Sequence, residues 1–288
     1  MEDRQLKIIE CPRDAMQGIH EFIPTKLKVK YLNQLLKVGF DTIDAGSFVS
    51  PKAIPQLKDT ALVFDQLDLD DSVSKLLAIV ANKRGAEEAV KFKQLTYLGY
   101  PLSLSETFQQ RNTNRSIATA LNDLSDMQDL CIQHNKQLVV YLSMGFGNPY
   151  GDPYDAAYLE SFTKKLDELE VGIISLADTI GVSNASNIGV AFNTLISKYP
   201  HIEFGAHLHS TPEHIEEKVK AAFQAGCKRF DGAIKGFGGC PMAEDELVGN
   251  MATETMMRYF KQEGIDLSLD QEAFAVALKL SNEVFAHI

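Results

Sequence analysis

Short apolar segments alternate with amphipathic, helix-like segments eight times along the chain, and this alternation restricts the possible folds more than any other feature. The strand-like segments are KIIEC (7–11), TIDAGS (42–47), KLLAIVA (75–81), LTYLGY (95–100), LVVYLSMGF (138–146), GIISLADT (172–179), FGAHLH (204–209) and RFDGAIKG (229–236). Eight strand–helix repeats are typical of a (β/α)8 barrel, which takes about 250 residues. The sequence therefore predicts an α/β protein with a single (β/α)8 TIM barrel.

The segments between the strands carry helical periodicity and residues typical of helix ends. In residues 25–39, apolar side chains recur on one stripe of a helix. Thr211 before Pro212 is typical of a helix start, and Gly39 and Gly226 stand where helices end. Helices are therefore expected between the strands, as the barrel requires.

A doubly wound open sheet is the alternative architecture for such a pattern. No Gly-x-Gly-x-x-Gly motif follows the first strand to favour it. No low-complexity segment or linker interrupts the alternation. We therefore expect one catalytic domain over residues 1–288, with its active site at the C-terminal ends of the strands.

The composition narrows the classes of partner. A formal net charge of −11 argues against general binding of nucleic acid or of an anionic membrane. The start of the chain, MEDRQLKIIE, leaves no room for a signal peptide, and no apolar run approaches the ~20 residues of a membrane span. The four cysteines have no Cys-x-x-Cys spacing, so reduced thiols are expected. These features predict a cytoplasmic protein.

Polar residues near the strand ends are the candidates for chemistry, because active sites of TIM barrels form at the C-terminal ends of the strands. They are Arg13, Asp14, Asp44, Ser47, Asp178, His207, His209, Cys240 and Asn250. Period-2 alternation places His207 and His209 on one face of their strand. By themselves the two histidines are equally consistent with partly buried, hydrogen-bonded side chains.

Oxygen donors beside the two imidazoles favour a metal site. Asp14 and Asn250 would come from adjacent strand ends and supply a carboxylate and an amide oxygen. Two nitrogens and two oxygens with open positions suit a six-coordinate Mg²⁺ or Mn²⁺ ion that chelates an oxygen-rich substrate. Zinc is the less favoured alternative, because no thiolate is near the histidine pair.

A glycine-rich segment, KGFGGCPMAEDELVGNMATE (235–254), reads as a loop. Gly236, Gly238 and Gly239 disfavour a helix or a strand, and Pro241 lacks a backbone donor. A surface connection is the ordinary interpretation. The alternative is a functional loop that presents Cys240, since a cysteine among glycines is poorly placed to be core.

Five motifs together resemble the 3-hydroxy-3-methylglutaryl-CoA lyase family of metal-dependent (β/α)8 barrels. They are CPRDAMQ (11–17), TIDAGSFVSPKAIPQLKDT (42–60), LADTIGV (176–182), HLH (207–209) and GFGGCP followed by GNMATE (249–254). Arg-Asp and His-x-His are shared with Claisen-condensing synthases, such as those for isopropylmalate and citramalate. GGCP is the lyase form, where the synthases carry Gly-Glu-Arg.

The resemblance implies cleavage of 3-hydroxy-3-methylglutaryl-CoA to acetyl-CoA and acetoacetate by retro-Claisen chemistry, with Mg²⁺ or Mn²⁺ as cofactor. The implied metal ligands are Asp14, His207, His209 and Asn250. The implied catalytic residues are Arg13, Cys240, Asp44 and Asp178, the last two either relaying the proton or only positioning other groups. The expected contacts to the acyl-CoA substrate are Arg13, Gln17, Ser47, Arg111 and Asn112. A homodimer that binds neither nucleic acid nor membrane is also expected.

Three departures from the family pattern affect substrate preference and loop closure. Asp44 stands where these lyases usually have glutamate, Ser210 replaces the aspartate after His-x-His, and MAEDEL (242–247) replaces a loop richer in small residues. Other functions stay open on these grounds: a lyase for a related 3-hydroxyacyl-CoA, a Claisen-type acyl-CoA synthase, or a catalytically silent barrel. The intact Arg-Asp, His-x-His and Asn set argues against the last.

Overall fold

Eight parallel strands close into a barrel in the computed structural model, which describes residues 5–239 and 248–286. The strands are β1 (Lys7–Glu10), β2 (Thr42–Ser47), β3 (Lys75–Ile79), β4 (Leu95–Ser103), β5 (Gln137–Ser143), β6 (Ile173–Asp178), β7 (Glu203–Ser210) and β8 (Arg229–Gly232). Each strand pairs in parallel with the next, β1 pairs with β8, and the β6–β7 and β7–β8 pairings complete the ring. The predicted (β/α)8 barrel is confirmed.

Helices cover the outside of the barrel. They are α1 (Pro12–Gln17), α2 (Thr25–Leu36), α3 (Thr60–Phe64), α4 (Lys83–Ala89), α5 (Glu106–Thr113), α6 (Ile117–Gln133), α7 (Ala156–Glu168), α8 (Ala185–Lys198), α9 (Ile215–Gln224), α10 (Thr253–Gln262) and α11 (Gln271–Val284). Short 3-10 helices span Pro55–Leu57, Pro212–His214 and Ile234–Gly236. Gly39 and Gly226 have φ angles of 85° and 98°, the left-handed conformation expected of a glycine after a helix.

The core has two parts, as the alternation of side chains along each strand requires. The larger part packs between the barrel and its helices. It includes Tyr31, Leu35 and Val38, which lie within the helical stripe predicted for residues 25–39. A smaller cluster lies apart from it, at alternate positions of β3 to β6: Leu77, Ile79, Tyr97, Val139, Tyr141 and Ile173. These side chains fill the β3 to β6 side of the barrel interior.

A ninth strand, β9 (Gly249–Asn250), was not predicted from the sequence. It pairs antiparallel with β7, so that Asn250 lies opposite His209 and Gly249 opposite Ser210. An isolated bridge between Ala233 and Ala252 attaches the same segment to the end of β8. The C-terminal part of the glycine-rich segment, expected to be a loop, is thereby held at the C-terminal rim of the barrel.

The structure was also searched for membrane-spanning helices. Within residues 5–239 and 248–286, no helix combines the length and apolar character needed to cross a bilayer.

Candidate active site

A cavity of about 350 Å³ opens at the C-terminal ends of the strands. Its wall includes seven residues that the sequence singled out or the family resemblance implied: Arg13, Asp14, Gln17, Arg111, Asn112, His207 and His209. Apolar side chains, among them Val49 and Phe108, line other parts of the wall. A small number of convergent polar groups in a partly apolar cavity is the usual composition of a small-molecule site.

The two histidines lie next to Asp14 at the base of this cavity. Potential ligand atoms of Asp14, His207 and His209 all lie within 4.8 Å of one another. The Nδ1 atom of His207 is 3.1 Å from Asp231 Oδ2, and that of His209 is 3.0 Å from the carbonyl oxygen of Thr179. Because these contacts occupy Nδ1 in both rings, Nε2 is the atom left for a ligand.

The Nε2 atom of His209 is buried and makes no hydrogen bond within the described part of the chain. A buried polar atom without a partner is costly, and metal coordination is one way to satisfy it. Burial and the neighbouring His207 lower the pKa of His209 to about 4, so the ring is neutral near pH 7. A neutral imidazole is the form that binds a metal ion.

Asn250 is connected to Asp14 directly. Its amide nitrogen donates to Asp14 Oδ2 at 2.7 Å and to the carbonyl oxygen of Phe237 at 2.9 Å, so its Oδ1 atom is the group left to accept or coordinate. Burial alone would raise the pKa of Asp14, but Arg13, the two histidines and the Asn250 hydrogen bond lower it below its ordinary value. Carboxylate, amide and imidazole donors together fit a divalent cation.

Arg13 lies beside Asp14 and donates hydrogen bonds to three side chains. Its Nε and Nη2 atoms donate to Asp44, with the shortest contact at 2.6 Å, while Nη1 donates to Asp14 at 2.9 Å and to Gln17 at 2.7 Å. Burial alone would lower the pKa of Arg13, but Asp44 and Asp14 outweigh burial and raise it. The guanidinium is therefore a fixed positive charge at the cavity wall.

The glycine-rich loop approaches the site backbone to backbone. Gly238 has a φ of 91°, and a Cβ atom at this position would lie 2.7 Å from Asn250 Nδ2 and 3.0 Å from the carbonyl oxygen of Asp14. A Cβ atom on Gly249 would lie 2.3 Å from the carbonyl oxygen of Gly236. Glycine is required here for close approach as well as for backbone conformation. Cys240 itself lies outside the described residues.

Four sequence candidates do not line the cavity as the described residues form it: Asp44, Ser47, Asp178 and Asn250. Asn250 reaches the site through its hydrogen bond to Asp14. Asp44 is buried behind Arg13. The hydroxyl of Ser47 accepts a hydrogen bond from the backbone of Val49 at 3.1 Å. Asp178 accepts from Lys218 at 2.8 Å, and Lys218 also donates to the carbonyl oxygen of His209 at 2.7 Å. Ala177 on β6 and Thr179, the residue that follows β6, lie at the cavity instead.

Arg111 and Asn112 lie on α5 at the wall of the cavity. The guanidinium carbon of Arg111 is 4.7 Å from the centre of the Tyr150 ring, a distance typical of a cation–π contact. Positive charge at this wall suits an anionic ligand. The family resemblance had implied the same two residues as contacts of the acyl-CoA.

Sequence reasoning missed Asp231 and Lys218. Asp231 is a buried acid within the short strand RFDG, and Lys218 is a buried lysine on an amphipathic helix. A charged residue at a position that periodicity assigns to a buried face was the available signal. Neither residue belongs to a motif with a recognisable spacing.

Comparisons with known proteins agree on one family. The chain matches the HMGL-like family over residues 5–280. It is 31% identical over 272 residues to a hydroxymethylglutaryl-CoA lyase of Bacillus subtilis, covering 94% of this chain and 90% of that protein. It is 29% identical over 277 residues to a 3-hydroxy-3-isohexenylglutaryl-CoA/hydroxymethylglutaryl-CoA lyase of Pseudomonas aeruginosa, covering 95% and 91%. A solved HMG-CoA lyase of Acinetobacter baumannii, in complex with coenzyme A and 3-methylmalate, superposes with a TM-score of 0.90 at 29% identity, covering 98% and 92%.

Proposed function

Because the chain belongs to the HMGL-like family, we propose that it is a carbon–carbon lyase that cleaves 3-hydroxy-3-methylglutaryl-CoA to acetyl-CoA and acetoacetate. The observation that carries this proposal is the convergence of Asp14, His207 and His209 within 4.8 Å beside a fixed Arg13. A Claisen-type synthase is disfavoured by the GGCP sequence and by the names of the relatives.

The proposed metal ligands are Asp14, His207, His209 and Asn250, and the proposed ion is Mg²⁺ or Mn²⁺. When bound, a divalent ion supplies Lewis-acid polarisation of the hydroxyl and carboxylate oxygens of the substrate. The four proposed ligands offer oxygen and nitrogen donors and no thiolate, which supports these ions over zinc. The expectation that no thiol lies near the histidine pair was wrong, since potential ligand atoms of Cys11, His207 and Asp231 lie within 4.8 Å of one another. Burial raises the pKa of the Cys11 thiol, which disfavours its thiolate form.

Arg13 stabilises the negative charge that develops on the thioester oxygen as the carbon–carbon bond breaks. Its hydrogen bonds to Asp44, Asp14 and Gln17 fix the guanidinium before the substrate binds. A donor held in place costs no reorganisation during the reaction, which is why such groups contribute strongly to the rate. We assign Asp44 the role of orienting Arg13. Asp178 orients the His209 segment through Lys218.

The carbon of the resulting acetyl-CoA enolate requires a proton. We assign this step to the Cys240 thiol, since Cys240 follows Gly239 directly in the chain and the backbone of Gly238 lies against Asp14 and Asn250. A thiol is a competent proton donor to carbon when it is brought within hydrogen-bond reach.

An acyl-CoA is the proposed partner. Arg111 and Asn112 at the cavity wall, together with the coenzyme A in the Acinetobacter lyase structure, support binding of the thioester tail along α5. Gln17 lines the same cavity and is proposed to contact the acyl group, with Ser47 as a further candidate contact. We further propose a cytoplasmic homodimer.

The test of the reaction is direct. The purified protein, incubated with 3-hydroxy-3-methylglutaryl-CoA and Mg²⁺ or Mn²⁺, should form acetoacetate and acetyl-CoA in equal amounts. Chelation of the metal should stop the reaction. Condensation of acetyl-CoA with a 2-oxo acid, without cleavage, would identify a synthase instead.

The Asp14→Asn variant should bind Mn²⁺ at least an order of magnitude more weakly, because a neutral amide replaces a charged ligand. Titration of Mn²⁺ into the folded protein measures this. Asp126→Asn is the matched control, since Asp126 forms an exposed ion pair with Lys83 and neither residue lines the cavity. Equal affinities for the two variants would remove Asp14 from the ligand set.

A further inference from the structure

Asp231 is a buried carboxylate inside the barrel. It lies on β8 and is 2% exposed, with Oδ2 3.1 Å from His207 Nδ1. Its other oxygen, Oδ1, is buried and has no hydrogen-bond partner within residues 5–239 and 248–286. The function assigned to the site so far makes no use of this residue.

The hydrogen bond to Asp231 selects one form of the His207 ring. A neutral imidazole carries its proton on one nitrogen and a lone pair on the other. A carboxylate at Nδ1 accepts the Nδ1–H proton, which places the lone pair on Nε2. We propose that Asp231 is a positioning residue that fixes the metal-binding tautomer of His207; this inference rests on the proposed role of His207 as a ligand.

The two histidines differ in this respect. His209 donates Nδ1–H to the neutral carbonyl oxygen of Thr179, whereas His207 donates to a carboxylate. A carboxylate partner raises the basicity of an imidazole more than a carbonyl does, and such partners typically affect metal affinity by about 10–100-fold. His207 is therefore the stronger of the two nitrogen donors.

Arg229 places a buried positive charge on the same strand as Asp231. Burial alone would lower the pKa of Arg229, but Asp231 raises it, although no hydrogen bond or ion pair joins the two side chains within the described residues. The two residues are two positions apart on β8, so both point into the barrel, and Arg229 is fully buried. Arg229 Nη1 also donates to Glu203 Oε1 at 3.3 Å, on the side away from His207. Of the carboxylates of Glu203 and Asp231, the first contacts Arg229 and the second contacts the proposed metal ligand His207.

The test compares Asp231→Asn with Glu203→Gln. Each variant removes one carboxylate charge from the environment of Arg229, but only Asp231 contacts His207. Titration with Mn²⁺ alone should show about 10–100-fold weaker binding for Asp231→Asn and wild-type affinity for Glu203→Gln. The proposal would be overturned if Asp231→Asn bound Mn²⁺ as tightly as the wild type, or if Glu203→Gln lost as much affinity as Asp231→Asn. Melting temperatures verify that each titrated sample is folded.

A second measurement needs no variant of Asp231. Nitrogen-15 NMR of histidine-labelled wild-type protein with Mg²⁺ should show His207 protonated at Nδ1 and not at Nε2, the signal being assigned by its loss in His207→Asn. A proton on Nε2 would overturn the proposal even if Asp231→Asn failed to fold. Neither measurement uses the substrate, so a protein that passes both but forms no acetoacetate would overturn the proposed function alone.

Discussion

The Cys240→Ser variant is expected to cleave 3-hydroxy-3-methylglutaryl-CoA about 10²–10³-fold more slowly than the wild type, with metal affinity unchanged. Serine keeps the size and geometry of the side chain, but its hydroxyl is a far weaker acid than a thiol, and proton transfer from a positioned group typically contributes this much to a rate. Turnover, melting temperature and Mn²⁺ affinity should be measured on one preparation.

A structural role for Cys240 would produce the reverse pattern. Cys131→Ser is the matched comparison, because Cys131 is fully buried on α6, away from the cavity wall. Burial of an unpaired hydroxyl there should lower the free energy of unfolding by about 1 kcal/mol or more and leave turnover of the folded fraction near normal. If Cys240→Ser, like Cys131→Ser, lost stability but kept near-normal turnover, Cys240 would not be the proton donor.

The Arg13→Lys variant is expected to lose about 10²-fold or more in kcat while still binding the CoA ester. Lysine keeps the charge but not the planar fork that donates to Asp44, Asp14 and Gln17 at once. Loss of one preorganised donor to developing negative charge typically costs about 10²–10³ in rate. Steady-state kinetics separate the effect on kcat from the effect on KM.

Arg258→Lys provides the control for this substitution. Arg258 also donates through Nε and Nη2 to one carboxylate, that of Glu216, but on the exposed surface. Its replacement should leave kcat unchanged. If Arg13→Lys raised only KM, Arg13 would be an anchor for the substrate and not a group that acts on the transition state.

The barrel and most of the candidate metal site were predictable from sequence, because the topology of the barrel brings the strand ends together. Once eight strands run parallel in a ring, their C-terminal ends share one rim, so Asp14 after β1 and His207 on β7 must approach each other. The spacing of the two histidines then fixes their common face. The identities of Asp14, His207 and His209 and the order of their strands were therefore sufficient to predict that these residues lie together.

Other positions depend on details that a single sequence does not carry. Asp178 lies on the predicted strand, but the chain alternates there, so that Ala177 and Thr179 line the cavity and Asp178 contacts Lys218. Asn250 was predicted at the site by resemblance and by proximity of strand ends. The strand that contains Asn250, β9, is too short to show the alternation of apolar and polar residues by which strands are predicted.

Asp231 illustrates a different difficulty. One acid in a four-residue strand has no partner at a diagnostic spacing, and its contact with His207 arises from the neighbouring positions of β7 and β8 in the barrel. The pairing partners of a strand, and the direction in which each side chain points, are properties of the closed sheet. Strand partners and side-chain directions can therefore be assigned only from the three-dimensional structure.

The amide nitrogen of Asn250 joins two parts of the site that have different tasks. One of its hydrogens binds Asp14, within the proposed metal ligands, and the other binds the Phe237 carbonyl, within the glycine-rich loop. If an ion binds Asp14 and Asn250 as proposed, its affinity and the stability of the Asn250–Phe237 hydrogen bond are thermodynamically linked. By reciprocity, any factor by which the ion favours this hydrogen bond is the factor by which the hydrogen bond tightens the ion.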